Sequence, residues 1–252
     1  MKKVGIALSG GGSRGIMHIG ILKAIDEAGI KISMVTGASA GAIVGDYYCS
    51  GYSPDRIMDI IRDTKLIKYI RPAISTSGLL KLEKVVPVFE KYLNVETFES
   101  LHIPLVVSAT NVQSGKSALI SHGKLIISVL ASCAVPVIFE PIKLNGEHYI
   151  DGGVLNNLPV EPLIGACDII IGSNCNPVSD NYTLGNMRSL LERALLMSIN
   201  LNTIAKRNHC DIFMEPEGLT NFGGFDFSKS EEIFQIGYTY GKSMINKIEE
   251  LL

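Results

Sequence analysis

The chain has 252 residues, 46% of them hydrophobic and 19% charged, the make-up of a globular protein with length enough for one sizeable α/β core. A formal net charge of -2 gives no sequence-wide attraction to phosphates, and no local basic cluster stands in for it, so a nucleic-acid partner is not expected. The 5 cysteines are an odd number without CxxC spacing, which fits reduced thiols in a cytosol better than disulfides or zinc.

At the N-terminus only five apolar-type residues, Val4 to Leu8, precede the polar, Gly-rich Ser9 to Gly15, too short for a signal-peptide core, so a cytoplasmic location is expected. Lys3 to Leu8 reads as a buried strand. Arg14 to Ala28 reads as a helix, with Ile16, Ile19, Leu22 and Ile25 recurring at spacing three and Gly29 closing it. Ser33 to Thr36 is a second short strand, which Gly37 to Gly41 turns directly into a helix ending near Ser50. Ser53-Pro54 starts a helix to about Lys65, and Leu79 to Leu93 is an amphipathic run expected to kink at Pro87.

Pro104 to Thr110 and Ser117 to Ile120 are strand-like, and Leu125 to Cys133 is an apolar helix stopped before Pro136. The apolar stretch Leu125 to Phe139 is broken by Ser128, Ser132 and Pro136 and falls short of the roughly 20 residues that span a bilayer. A hairpin follows: Ile142 to Leu144, the turn Asn145-Gly146, and Glu147 to Ile150, which delivers Asp151-Gly152-Gly153 at its end. Asp168 to Ser173 and Asp211 to Met214 are strands, and Met187 to Asn208 and Ser230 to Leu251 are helices. This alternation argues a mostly parallel sheet covered on both faces.

Three short motifs carry chemistry. Gly10-Gly11-Gly12-Ser13-Arg14-Gly15 satisfies GxGxxG between a strand and a helix. A dinucleotide site needs an acid at the end of the next strand, and that strand ends in Thr36-Gly37-Ala38-Ser39. The glycines offer instead exposed N–H groups at a helix N-terminus, which suit a developing oxyanion; losing one such donor typically costs roughly 2.7–4 kcal/mol of barrier. Arg14 either braces this loop or meets an anionic substrate.

Gly37-Ala38-Ser39-Ala40-Gly41 is GxSxG at a strand-to-helix junction, where small neighbours allow a tight turn and leave the Ser39 hydroxyl open. A second match by spacing, Gly237-Tyr238-Thr239-Tyr240-Gly241, lies inside an expected helix where no elbow can form. Serine needs a base. His209 is the only histidine after Asp151, and His18, His102, His122 and His148 are expected to be structural or exposed. Asp151 reads either as a loop-turn aspartate or as that base; desolvation would raise its ordinary pKa of about 3.9 in the useful direction.

GGGSRG, then GASAG, then DGG at Asp151 resemble the patatin-like phospholipase family in type, order and spacing. The resemblance also takes in Ala131-Ser132-Cys133-Ala134-Val135-Pro136 with Phe139 and Pro141, and Asn156-Asn157-Leu158-Pro159, so it covers residues 3–175. It implies a three-layer α/β/α sandwich with a mostly parallel central sheet, one domain over residues 1–252, and a serine acyl hydrolase of the phospholipase A, lysophospholipase or esterase type. The implied dyad is Ser39 and Asp151. The implied oxyanion loop is Gly10, Gly11, Gly12, Arg14 and Gly15, the elbow is Gly37, Ala40 and Gly41, and Gly152 and Gly153 complete the DGG motif. The resemblance implies no metal or organic cofactor and a lipid ester or phospholipid substrate. A lipid-binding or regulatory protein with little hydrolysis of its own is the alternative, because the chain from Cys175 onward matches no family motif. Lys65-Leu66-Ile67-Lys68-Tyr69-Ile70-Arg71, where basic and apolar residues interleave, reads first as a partly buried helix end and alternatively as a lid or a peripheral membrane contact. Phe222, Phe225 and Phe227 line either a pocket mouth or a packed loop.

Overall fold

In a computed structural model, which describes residues 2–64, 82, 86–92, 95–183, 185–224 and 226–252, the apolar run Val4–Leu8 forms β1 with every residue buried. A strand without polar alternation must be covered on both faces, and β1 accordingly lies inside the sheet. It runs parallel between β2 (Ile32–Ala38) and β7 (Ile169–Ser173). Outside these, β3 (Leu105–Asn111) pairs parallel with β2, and β8 (Ile212–Met214) with β7. Three antiparallel strands complete the eight-stranded sheet: β4 (Lys116–Ile120) on β3, β6 (Glu147–Asp151) on β3, and β5 (Ile142–Leu144) on β6. The β5–β6 turn is Asn145-Gly146, both with positive φ, as a tight hairpin with the sheet's twist requires.

Helices flank the sheet: α1 (Met17–Glu27), α2 (Ala40–Cys49), α3 (Pro54–Thr64), α4 (Val86–Tyr92), α5 (Leu125–Ser132), α6 (Met187–Lys206) and α7 (Ser230–Glu249). The two faces of the sheet are covered unequally. Ile6, Leu8, Ile169 and Ile171 point into a large core shared with α1, α2 and α7, whereas Ala7 and Ile170 meet a smaller cluster of Leu158, Val160 and Leu163. Each fully buried Leu or Ile contributes roughly 1.5–3 kcal/mol, so the larger cluster dominates the stability.

The helix expected from Arg14 begins instead as a 3-10 turn over Gly12–Ile16, and α1 starts at Met17. Gly12 has φ +61, and the Ser13 N–H donates to the Gly224 carbonyl at 2.9 Å, so the entry turn is shaped by the far end of the chain. In the run 79–93 the described helix is Val86–Tyr92, with Pro87 at its second residue, where a missing N–H costs nothing. The second GxSxG-like stretch lies in α7, where a Cβ on Gly237 would stand 2.0 Å from the Met17 carbonyl oxygen. Its glycine therefore serves close packing of α7 on α1.

Candidate active site

Gly37 and Ala38 end β2, and the chain turns at Ser39 with φ 50 and ψ -120 before entering α2. An L-residue rarely occupies that region, and holding it there costs on the order of 1–3 kcal/mol, offset by the surrounding packing. The packing is tight: a Cβ on Gly41 would lie 2.2 Å from the Leu8 carbonyl oxygen, so only glycine lets α2 begin against β1. The Ser39 carbonyl accepts from the N–H groups of Ala42 and Ile43, which anchors the first turn of α2. The Ser39 N–H donates to the Ser132 hydroxyl at 2.8 Å, and Ser132 in turn donates to the Ser108 carbonyl at 2.6 Å. Ser132 thus ties the elbow to α5 and β3 together.

β3 brings the second residue to the first. β4 occupies one edge of β3 over residues 107–111, so β2, paired over 105–108, and β6, paired over 109–111, must share the other edge end to end. The last residue of β2, Ala38, sits opposite Ser108, and the last of β6, Asp151, sits opposite the next residue, Ala109. Ser39 and Asp151 therefore emerge at the meeting point of two strand ends. The Asp151 N–H donates to the Ala134 carbonyl at 2.9 Å, Thr110 donates to the Asp151 carbonyl at 2.9 Å, and the Gly153 N–H donates to the carboxylate at 2.7 Å. A Cβ on Gly152 would stand 2.1 Å from the Ser108 carbonyl oxygen, so the DGG glycine sets the carboxyl close against β3.

Burial pushes the Asp151 carboxyl up from 3.8 to about 6, against hydrogen bonds from Ser39 and from the Gly153 N–H that stabilise its anion. Cys133 lies in the same pocket: burial, and then the Asp151 charge, hold its thiol well above the usual range, while a hydrogen bond with Ser39 acts the other way.

The Gly-rich loop follows β1. The Gly10 N–H donates to the Asn157 carbonyl at 3.3 Å, and the Gly10 carbonyl accepts from the side-chain amides of Asn157 and Asn176. Among the described residues no protein acceptor takes the N–H of Gly11 or Gly12. Gly15 packs against Ala40 at the start of α2, and Arg14, half-buried, is near the buried Cys175. His18 supports the loop from beneath. Its Nε2 lies 2.9 Å from the Ser9 carbonyl, which can only accept, so Nε2 carries the proton and Nδ1 accepts from the Ser173 hydroxyl at 2.8 Å. Burial lowers the His18 pKa to about 4, which keeps that neutral tautomer. From above, the Ser13 hydroxyl donates to the Gly223 carbonyl and the Ser13 N–H to that of Gly224.

His209 is exposed in a short turn after α6, and His148 is engaged with Gln113; no histidine hydrogen-bonds Ser39 or Asp151 among the described residues. No group of three or more His, Cys, Asp or Glu side chains there could hold a metal ion. The segment Lys65 to Arg71 and Phe225 lie outside the described residues, while Phe222 is buried and Phe227 half-buried against the core, as a packed loop would place them. No described helix is long and apolar enough to cross a membrane. Ser132, His18, Asn176 and the Gly223-Gly224 loop carry no local motif of their own in the sequence, and of these only Ser132 falls in a run that resembles the family.

The family model for patatin-like phospholipases matches residues 6–164, the span that holds all three motifs. The chain belongs to the patatin-like phospholipase family. Among patatin-like relatives, an uncharacterized NTE family protein of Mycobacterium tuberculosis is 32% identical over 71% of this chain and 52% of its own length. Lysophospholipase NTE1 of Eremothecium gossypii is 28% identical over 98% of this chain and 18% of that protein, and its counterpart in Saccharomyces cerevisiae is 26% identical over 95% and 16%. The chain thus spans about half the length of the mycobacterial relative and under a fifth of the yeast ones. VipD from Legionella pneumophila shares the fold, with a TM-score of 0.58 at 16% identity, over 98% of this chain and 67% of that one.

Proposed function

We propose that this patatin-like chain hydrolyses carboxylic esters of lipids through a Ser39/Asp151 dyad, in the manner of a phospholipase A, lysophospholipase or esterase. The observation that carries the proposal is the convergence of a strained serine and a buried carboxylate of raised pKa on neighbouring register positions of β3. Ser39 Oγ attacks the ester carbonyl while its proton passes to Asp151. With a pKa of about 6, Asp151 is ionised at neutral pH yet basic enough to accept that proton. The N–H groups of Gly11 and Gly12, with Ala40 at the N-terminus of α2, stabilise the oxyanion, and Gly10 contributes by admitting the substrate, its own N–H being engaged with Asn157. The departing alcohol takes the proton from Asp151, and water then hydrolyses the acyl-enzyme. The name of the yeast relatives, lysophospholipase, supports a lipid ester as substrate. Residues 1–252 act as one patatin-like unit, since the larger core cluster draws side chains from Val4 to Ile248.

The test is intact mass after a fluorophosphonate probe, with turnover of short-chain esters and lysophospholipids measured in parallel. Wild type gains one adduct, Ser39→Ala gains none, and Asp151→Asn loses turnover, whereas His209→Ala keeps it. Loss of turnover in His209→Ala overturns the dyad. Labelling of Ser39 without turnover of any ester favours a lipid-binding role instead.

A further inference from the structure

α6 keeps much of its apolar surface outside the core. The side fastened to the protein carries the half-buried Leu196 and Ile199 and is held by polar groups: the Asn202 side chain accepts from the Asn157 N–H at 3.1 Å, Thr203 meets the Asn157 amide, and Lys206 pairs with Glu161. Among its described side chains only Thr203 is buried. The opposite side presents an apolar stripe to solvent, with Met187 83% and Leu201 75% exposed and Leu190, Leu191, Leu195 and Ile204 each at 45% or more. At about 100° per residue these six fall on one half of the helix circumference. A contiguous apolar stripe of this kind on a surface marks an interaction site.

We propose that this stripe of α6, together with the exposed Val154 and Leu155 that follow the Asp151-Gly152-Gly153 loop, docks the protein on an anionic phospholipid bilayer. The proposal rests on the lipid-hydrolase reading of the site and names where its substrate is met. Charge selects the occupant. Residues 187–207 contain Arg188, Arg193, Lys206 and Arg207 against Glu192, and Glu161 pairs with Lys206, so four cations face two anions, or +2, on a chain whose formal net charge is -2. A basic, apolar helix lying in the interface is attracted to acidic headgroups, whereas a second copy would set one +2 helix against another. Position supports the same occupant: Asn157 bonds α6 through its N–H and the Gly10 carbonyl through its side chain, so the helix that carries the stripe is one residue removed from the Gly-rich loop.

The experiment is flotation with vesicles of phosphatidylcholine alone and of phosphatidylcholine mixed with phosphatidylglycerol, at low and high salt. Wild type is compared with Leu191→Ser/Leu195→Ser/Leu201→Ser and with the milder Met187→Ser/Leu201→Ser. Wild type floats with the mixed vesicles, less so at high salt, and the triple variant loses at least about tenfold in vesicle affinity. Both variants turn over a soluble short-chain ester as wild type does and sediment as wild type does. Three results overturn the proposal: wild type that binds neither vesicle, a triple variant that binds as well as wild type, or a wild-type dimer that both variants dissolve, which would assign the stripe to a second copy. Failure of the hydrolase reading is separately visible, as vesicle binding that survives with no ester turnover in any form.

Discussion

Replacing Asp151 with asparagine abolishes turnover on the dyad reading, and it also stabilises the protein in a pH-dependent way. In the folded state the carboxyl titrates at about 6 instead of 3.8, because burial penalises the anion more than Ser39 and the Gly153 N–H favour it. Below 3.8 both states are protonated and the aspartate costs nothing. Between 3.8 and about 6 the unfolded chain releases a proton that the folded chain retains, so wild-type stability falls as pH rises, and above about 6 the full cost persists. The rise from 3.8 to about 6 corresponds to about 3 kcal/mol. The side chain is 7% exposed, so solvent screening removes little of this. Asparagine keeps an acceptor for the Gly153 N–H and cannot ionise, so the variant escapes the penalty. Urea unfolding of both proteins across the acid-to-neutral range measures it. The difference in unfolding free energy grows by about 3 kcal/mol through the window and is flat on either side. A difference that does not change with pH refutes the account of Asp151 as a buried, desolvated base.

Asp46 in α2 is fully buried, and burial raises its pKa to about 8 against a hydrogen bond from Ser50 that favours the anion. By the same sign, Asp46→Asn gains stability over wild type progressively from pH 3.8 to about 8, a window reaching higher than that of Asp151, as thermal melts across pH will show. Ser132→Ala leaves the Ser39 N–H and the Ser108 carbonyl without their partner; unfolding free energy falls by about 1–3 kcal/mol, and fluorophosphonate labelling of Ser39 slows with it. Gly41→Ala forces a methyl to within 2.2 Å of the Leu8 carbonyl oxygen, with a loss of about 1–3 kcal/mol or more in chemical denaturation and little labelling of Ser39 in what remains folded.

Several elements are legible in the amino-acid sequence because their signal is local. β1 is apolar throughout and β7 is so up to its last residue, Ser173, both bounded by polar or glycine-rich residues, the β5–β6 hairpin turns on Asn-Gly, and GASAG stands between a strand and a helix. The boundaries that moved did so under long-range contacts. β2 runs over Ile32–Ala38, longer than Ser33 to Thr36, because β1 and β3 pair with it on both edges, and α1 starts late because Gly224 holds Ser13. Histidine's part followed the same line. His18 gives no sign in the sequence that it buttresses the Gly-rich loop, since Ser173, its partner, is 155 positions away.

α6 marks the limit most plainly. The spacing of Met187, Leu191 and Leu195 predicts an amphipathic helix, but a period says only that one side is apolar and cannot say which side is buried. The sequence by itself determined residue chemistry, local turns and the alternation of strands and helices, because these depend on neighbours within a few positions. The tertiary structure decided that β2 and β6 end head to head on β3, bringing Ser39 to Asp151, and that α6 leaves a stripe of apolar side chains outside the core. Both outcomes depend on contacts between segments far apart in the chain, and no window of sequence contains both partners.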